Sequence, residues 1–292
     1  MFKTTRSLVL REVRYKEADR ILTVLTEDMG KMTVKARGAL RKGSKIAAAT
    51  QFLVFSELTM LERNGFWTVS EGSTIEEFKG LRGDITALSL ASYFAECIEA
   101  LSDEGNPDPL LLQLILNCLF ALSNDMYSQT HIKTAFEMRL MSLAGYEPNL
   151  MSCCVCGSSE PELPRFSPRN GVICCRECNN AQIQANYELC PSSLQALRYI
   201  VYAPARKMLS FKIDDDALSR ASKATEAYLL TQTERKFSTL DYWRQIKEWI
   251  STKNRLTYLS CRRCSKCLPP RPSQTAAERH ASSSAQVRTG LR

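Results

Sequence analysis

The chain has 292 residues, of which 44% are hydrophobic and 24% charged, and it carries 39 basic against 31 acidic side chains. This length and balance favour a globular protein with one large domain or two to three small ones. Its two histidines, His131 and His280, nearly exclude a His-based catalytic centre. The longest apolar stretch, residues 110–122, is shorter than the roughly 18 residues of a membrane-spanning helix. Arginines bracket the short segment 7–10, Ser-Leu-Val-Leu, so we expect no secretory leader and a cytoplasmic protein with reduced thiols.

The charge is unevenly distributed along the chain. Residues 1–50 contain 12 basic and five acidic side chains, residues 51–252 contain 18 and 25, and residues 253–292 contain nine and one. The basic N-terminal segment favours a polyanionic partner. The C-terminal segment is rich in Ser, Pro and Arg and lacks helical or strand periodicity, so we expect residues 253–292 to form a disordered basic tail.

Residues 2–72 have the alternation of apolar and polar side chains that is typical of strands. Turn-forming residues, among them Gly30, Gly38, Gly43 and Asn64-Gly65, separate the alternating segments. Five short strands in this length favour a small closed barrel, because closure leaves no long edge unpaired. The predicted strands are Ser7–Arg14, Arg20–Thr26, Lys31–Arg37, Phe52–Leu61 and Phe66–Glu71.

After Gly83 the apolar period changes to that of helices. Gly145, followed by Pro148, is typical of a helix end. The sequence therefore predicts an α+β protein. A barrel at residues 1–80 is followed by a helical body in two parts, 81–150 and 183–252. The helical stripes lie at residues 90–101, 109–122, 132–143, 194–201, 218–229 and 240–250.

Two cysteine pairs between the parts of the helical body have the spacing of a zinc ribbon. Each pair frames two residues, and 18 residues separate the pairs. Four thiolates complete a tetrahedral Zn²⁺ sphere and leave no position for water, so residues 151–182 are predicted to hold one structural zinc per chain. Cys154 and Cys174 stay open as alternative ligands. The predicted ligands are Cys153, Cys156, Cys175 and Cys178.

The remaining cysteines give weaker patterns. Cys97, Cys118 and Cys190 lie in or beside predicted helices, where a thiol most often serves as a small apolar side chain. The C-x2-C-x2-C group at 261–267, with His280, is a further candidate for metal binding, but the surrounding composition predicts none of the structure that orients ligands.

The third predicted strand carries positive charge on one face. The apolar side chains of Met32, Val34 and Ala36 point to one side and the polar side chains between them to the other. With the loop that follows, residues 31–45 contain six basic and no acidic side chains, which favours a surface that follows a phosphate backbone over an ordinary solvated strand. The predicted DNA-binding residues are Lys31, Lys35, Arg37, Arg41, Lys42 and Lys45. Candidate base-stacking aromatics are Tyr15, Phe66 and Trp67, although core residues of a barrel would give the same pattern.

No catalytic motif accompanies this basic segment. The glycines of residues 38–43 are followed by Ser44-Lys45, the reverse of the Lys-Ser/Thr order that places a lysine on nucleotide phosphates. The sequence has no H-x-E motif of zinc deaminases, and the acidic run at 214–216 is typical of a helix start. A nucleic-acid-binding protein without enzymatic activity is therefore favoured over an enzyme acting on nucleic acid; a zinc-ribbon interaction protein and an RNA-binding protein are the alternatives.

Several short motifs follow one another through residues 1–250. They are Tyr15–Leu22, Thr26–Lys31, Ala36–Ala39 with Lys42–Lys45, Phe136–Leu140, Ala144–Pro148 and the two cysteine pairs, between which lie Phe166–Pro168 and Gly171. In this order they resemble the bacterial recombination mediator family RecO. Two features depart from the family pattern: the extra cysteines Cys154 and Cys174, and the segment after residue 252.

The resemblance implies an N-terminal OB-fold barrel, a helical body and an inserted four-cysteine zinc ribbon. It implies binding of single- and double-stranded DNA, annealing of complementary strands, and help in loading RecA onto DNA coated by single-stranded DNA-binding protein. The implied partners are that protein and RecR, in the bacterial cytoplasm at the nucleoid. Carried onto this sequence, the family pattern places the zinc ligands at the four predicted cysteines and the DNA-facing cations at the six predicted basic residues.

Overall fold

Five strands close into a barrel in the computed structural model, which describes residues 1–261, with Ser251 and residues 254–261 described by their backbone alone. The strands are β1 (Phe2–Tyr15), β2 (Asp19–Thr26), β3 (Gly30–Ala36), β4 (Phe55–Arg63) and β5 (Phe66–Glu76). Their order around the barrel is β1-β2-β3-β5-β4, with β3 and β5 parallel and the other neighbours antiparallel. This is the five-stranded barrel of the OB fold, and it confirms the predicted fold class at the N-terminus.

The alternation of apolar and polar side chains along the strands explains why the sheet closes into a barrel. Val9, Val24, Val34 and Leu58 point inward and are buried in one apolar cluster. The connection between β3 and β4 plugs one end of the barrel, because Ala39, Ile46 and Ala49 join the same cluster. The basic residues of this connection are thereby held on the outside of a packed segment.

Seven helices in the described residues form the rest of the body. They are α1 (Lys79–Gly83), α2 (Ile85–Leu101), α3 (Pro109–Ser123), α4 (Gln129–Leu143), α5 (Pro191–Tyr202), α6 (Asp215–Thr233) and α7 (Ser238–Cys261). Asp84, Asp108 and Asp214 accept backbone N–H groups at the starts of α2, α3 and α6, so the acidic run at 214–216 is a helix start as predicted. The helix α7 continues past residue 252, where the helical body was predicted to end. No helix in the described part of the chain is both long and apolar enough to cross a membrane.

The chain divides into two units, Met1–Ile246 and Lys247–Arg292. The barrel, the first six helices and the cysteine segment all belong to the first unit. Of the second unit, the structure describes the C-terminal part of α7, where the Lys253 ammonium lies 4.6 Å from the centre of the Trp249 ring.

A small sheet carries the cysteine segment. Its strands are β6 (Asn149–Cys153), β7 (Arg165–Ser167), β8 (Val172–Cys174) and β9 (Tyr187–Glu188), in the order β6-β8-β7-β9. Phe166 anchors the sheet to α6, because its ring meets the Tyr228 ring edge-on with 5.2 Å between ring centres. The Tyr228 hydroxyl in turn donates to the Tyr146 carbonyl at 2.9 Å. The insertion into the helical body thus has its own sheet, and Leu150, Phe166 and Ile173 of that sheet are buried in the same apolar core as the helices.

A buried ionic cluster lies between α4 and α6. The side chains of Lys133 and Glu137 are 1% and 0% exposed, and the Lys133 ammonium lies 2.7 Å from a Glu137 carboxylate oxygen and 2.8 Å from one of Glu226. The hydroxyls of Tyr93 and Thr225 donate to the two Glu137 oxygens at 2.8 and 2.7 Å. Burial raises the pKa of Glu137, whereas Lys133 acts to lower it. Each charge is therefore neutralised locally, which is the condition for burying it.

Candidate metal centre and nucleic-acid surface

Four cysteines of the ribbon converge on one point. The sulfur atoms of Cys153, Cys156, Cys175 and Cys178 all lie within 4.8 Å of one another, and those of Cys156 and Cys175 are 3.7 Å apart. A tetrahedral ion with zinc–sulfur bonds of about 2.3 Å requires sulfur atoms about 3.8 Å apart. The four thiols can therefore bind one metal ion, and the donor set fits a soft, tetrahedral ion.

The backbone around the first cysteine pair favours metal binding by Cys153. The strand β6 ends at Cys153, and Gly157, with a φ of 73°, allows its own N–H to donate to the Cys153 carbonyl at 3.0 Å. Burial acts to raise the pKa of Cys153, but N–H groups of Cys156, Val155 and Cys175 point at its sulfur and lower the pKa to about 6. The arrangement favours the thiolate, which is the form that ligates metals.

The two neighbouring cysteines have other environments. Cys154 is exposed, and its backbone N–H donates to the Ile173 carbonyl at 2.9 Å. Cys174 is buried in β8, where burial raises its pKa to about 11. Neither belongs to the group of converging sulfurs. The predicted group at 261–267 with His280 lies outside the residues whose side chains are described.

Four of the six predicted cations stand free on the loop after β3. Their side chains are exposed, and they form no ion pair with a described residue. These residues, called the basic loop below, are Arg37, Arg41, Lys42 and Lys45. No acidic residue interrupts them in the sequence. A phosphate chain can therefore approach all four without displacing a carboxylate.

Asp19 and Arg20, at the start of β2, hold the basic loop in place. The Asp19 carboxylate accepts the Gly38 N–H at 2.8 Å, a contact that lowers the pKa of Asp19. The Arg20 guanidinium donates to the carbonyls of Ala47 at 3.3 Å and Thr50 at 3.1 Å. Both residues lie in the first motif of the family resemblance, but the sequence assigned them no role because their contacts are 19 to 30 residues away.

The other two predicted cations are engaged within the protein. The Lys31 ammonium donates to the Glu99 carbonyl near the end of α2 at 2.7 Å. The Lys35 ammonium lies 3.2 Å from an Asp19 carboxylate oxygen and 4.7 Å from the centre of the Tyr15 ring. The six predicted residues therefore divide into four free cations and two that also fix the fold.

The candidate stacking aromatics also differ in exposure. Phe66 is 77% exposed and Tyr15 is 39% exposed, whereas Trp67 packs against the barrel core. The structure thus leaves Phe66 and Tyr15 accessible and gives Trp67 a core role.

The barrel and the exposed basic loop place this chain among proteins built on an OB fold. The family model "Recombination protein O N terminal" matches residues 1–78, and "Recombination protein O C terminal" matches residues 82–241. Together they span the barrel, the ribbon and the helices as far as the start of α7. The chain therefore belongs to the recombination protein O (RecO) family.

Curated relatives share this extent. A protein of Acetivibrio thermocellus is 32% identical over 238 residues, which cover 82% of this chain and 94% of the relative. A protein of Desulforudis audaxviator is 32% identical over 244 residues, which cover 83% of this chain and 96% of the relative. A protein of Alkaliphilus metalliredigens is 26% identical over 247 residues, which cover 84% of this chain and 100% of the relative. Each of the three carries the name DNA repair protein RecO.

Proposed function

We propose that this protein is a DNA-binding recombination mediator in DNA repair that makes and breaks no covalent bond. It binds single- and double-stranded DNA, anneals complementary strands and helps to load RecA onto DNA coated by single-stranded DNA-binding protein. One observation carries the proposal: four exposed cations that form no ion pair with a described residue make up the basic loop of an OB-fold barrel in a chain of the RecO family. The names of the relatives support the role in DNA repair.

The chemistry of the basic loop suits a mediator. Its cations bind phosphates of any sequence, with affinity that comes largely from released counterions. Such binding weakens steeply as salt rises and permits strands to exchange, which annealing requires. Six contacts on a single strand would give a log–log salt slope near −4, whereas the four free cations give about −3, from roughly −0.7 per contact.

The metal of the ribbon is proposed to be zinc. The four-thiolate donor set suits Zn²⁺, and a sphere filled by four protein ligands leaves no place for a reacting water. When bound, the ion cross-links two segments of the chain and takes part in no reaction. Its role is to hold together the two cysteine turns, whose apolar cluster consists of Cys153, Cys174 and Ala185 with a few partly buried neighbours.

The proposed partners follow from the family. They are single-stranded DNA-binding protein and RecR, with a functional link to RecA, and the proposed location is the cytoplasm at the nucleoid. The division into a barrel at 1–80, a ribbon at 151–182 and a helical body on either side of the ribbon belongs to the same proposal, with α7 extending the body past 252 to Cys261.

A charge-reversal variant of the basic loop tests this function. Arg37→Glu/Arg41→Glu/Lys42→Glu removes three phosphate contacts, so we expect affinity for labelled single-stranded DNA to fall about 100-fold at 0.1 M salt, with a much shallower salt slope. Annealing of complementary strands pre-coated with single-stranded DNA-binding protein should fall with it. The readouts are fluorescence anisotropy at several salt concentrations and the rate of duplex formation.

A matched control is available in the helical body. Arg206, Lys207 and Lys212 are also exposed and form no ion pair with a described residue, so their triple reversal to Glu changes the net charge equally. We expect this control to keep most of the affinity and annealing rate. Unchanged binding in the loop variant, or equal losses in both variants, would contradict the proposal. Tighter binding of RNA than of DNA would favour an RNA-binding protein instead.

A further inference from the structure

Phe66 presents an aromatic ring to solvent at the tip of the β4–β5 hairpin. Its side chain is 77% exposed, and no described aromatic ring packs against it. Asn64 and Gly65 form the turn with φ values of 51° and 78°, as in the tight two-residue turns that match strand twist. The exposed ring therefore belongs to the first residue of a paired strand rather than to a long loop.

The register of the barrel places this ring on the same outer face as Lys35. The strands β3 and β5 pair Val34 with Trp67 and Lys35 with Thr68. Since side chains alternate along a strand, Phe66 and Thr68 point outward, while Trp67 packs on the core. Phe66 therefore lies two residues, or roughly 7 Å, along β5 from the level of Lys35.

A basic side chain lies on each strand beside β5: Arg63 on β4, and on β3 Lys35, whose ammonium also contacts the Asp19 carboxylate. Arg63, directly opposite Phe66 across the hairpin, is exposed and forms no ion pair with a described residue. Lys35 lies on the neighbouring strand, and β3 runs on from Lys35 into the basic loop at Arg37. An apolar, planar surface between cations matches a polyanion that carries planar bases, which is single-stranded nucleic acid.

We propose that Phe66 stacks on an unpaired base of a single strand whose phosphates follow Arg63, Lys35 and the basic loop. The inference rests on the proposed DNA binding and adds the subsite that distinguishes single strands from duplexes. Bases of a duplex already stack on one another and cannot reach the ring, whereas every unpaired base has an accessible face. The basic loop supplies affinity for both forms of DNA, and Phe66 adds affinity for the single strand alone.

Substitution of Phe66 separates the two contributions. Phe66→Leu keeps an apolar side chain but removes the aromatic face, so affinity for oligo(dT) should fall about tenfold. Affinity for a duplex of equal length should stay within about twofold, and the salt slope should not change, because no phosphate contact is lost. Phe66→Trp should keep the oligo(dT) affinity, and its added fluorescence should be quenched when oligo(dT) binds.

The control is another exposed phenylalanine. Phe120 is 50% exposed on α3, and Phe120→Leu should leave both affinities unchanged. Equal losses for oligo(dT) and duplex in Phe66→Leu, or no loss for either, would overturn the inference. So would a change in the sedimentation coefficient of Phe66→Leu without DNA, because the ring would then dock on a second copy of the chain. The charge-reversal variant of the basic loop distinguishes failure of this inference from failure of the proposed function. If that variant still binds DNA as the wild type does, the proposed function is wrong, whatever the result for Phe66.

Discussion

Cys175→Ser is expected to lose the bound metal and to unfold the ribbon. The variant leaves three thiolates, and the turns that carry the cysteines have only a small apolar cluster to replace the ion, whose binding contributes about 10–16 kcal/mol in small zinc peptides. Metal analysis of the purified wild-type protein should give about one zinc per chain, and the variant close to none. Hydrogen exchange of the cysteine turns, residues 153–157 and 174–178, should accelerate in the variant, while exchange in the barrel should not.

Cys154→Ser is the matched control, because it also changes a cysteine to serine within the same ribbon, directly after a strand. Cys154 is exposed and outside the converging sulfur group, so its variant should keep the metal and the slow exchange. Loss of metal from Cys154→Ser, with retention in Cys175→Ser, would show that the ligands are not the four converging cysteines.

Lys133→Met is expected to lower the free energy of unfolding by about 3–5 kcal/mol, because it leaves the buried Glu137 carboxylate without its cation. The loss should grow as pH rises above the ordinary carboxyl range. Burial raises the pKa of Glu137 in the folded protein, so the folded state binds a proton that the unfolded state has released. Urea unfolding at pH 5 and pH 8 measures both effects.

The double variant Lys133→Met/Glu137→Leu provides the control for this cluster. It replaces both buried charges by apolar groups of similar size, so much of the lost stability should return. A loss below about 1 kcal/mol in the single variant, the range of exposed ion pairs, would mean that solvent reaches the cluster and that the pair is not buried.

Local patterns predicted most of the fold. The alternation that defines the five barrel strands depends on neighbouring residues only, and all five strands are confirmed with ends that differ by a few residues. The cysteine spacing likewise fixes which thiols can meet, because two residues between ligands set the geometry of each pair. The end of α7 was misplaced because the composition after residue 252 is polar and basic, without an apolar stripe that would extend the predicted helix.

Contacts between segments that are far apart along the chain could not be predicted from the sequence. Lys31 resembles the other basic residues in its strand, but the Glu99 carbonyl that it contacts is 68 residues away. Lys133 and Glu137 look like an ordinary i, i+4 surface pair, and their burial follows from the packing of α6 against α4. Which cations are free for a ligand is therefore a property of the tertiary structure.

The most direct test of DNA binding by the basic loop is lysine acetylation of the whole protein with and without oligo(dT). Lys42 and Lys45 are exposed and should react readily alone and become protected when DNA binds, because their ammonium groups then contact phosphates. Lys79, whose side chain is 84% exposed on α1, should react equally in both states. Lys42 and Lys45 that stay fully reactive in a saturated DNA complex would contradict the account, since the phosphate chain would then lie elsewhere.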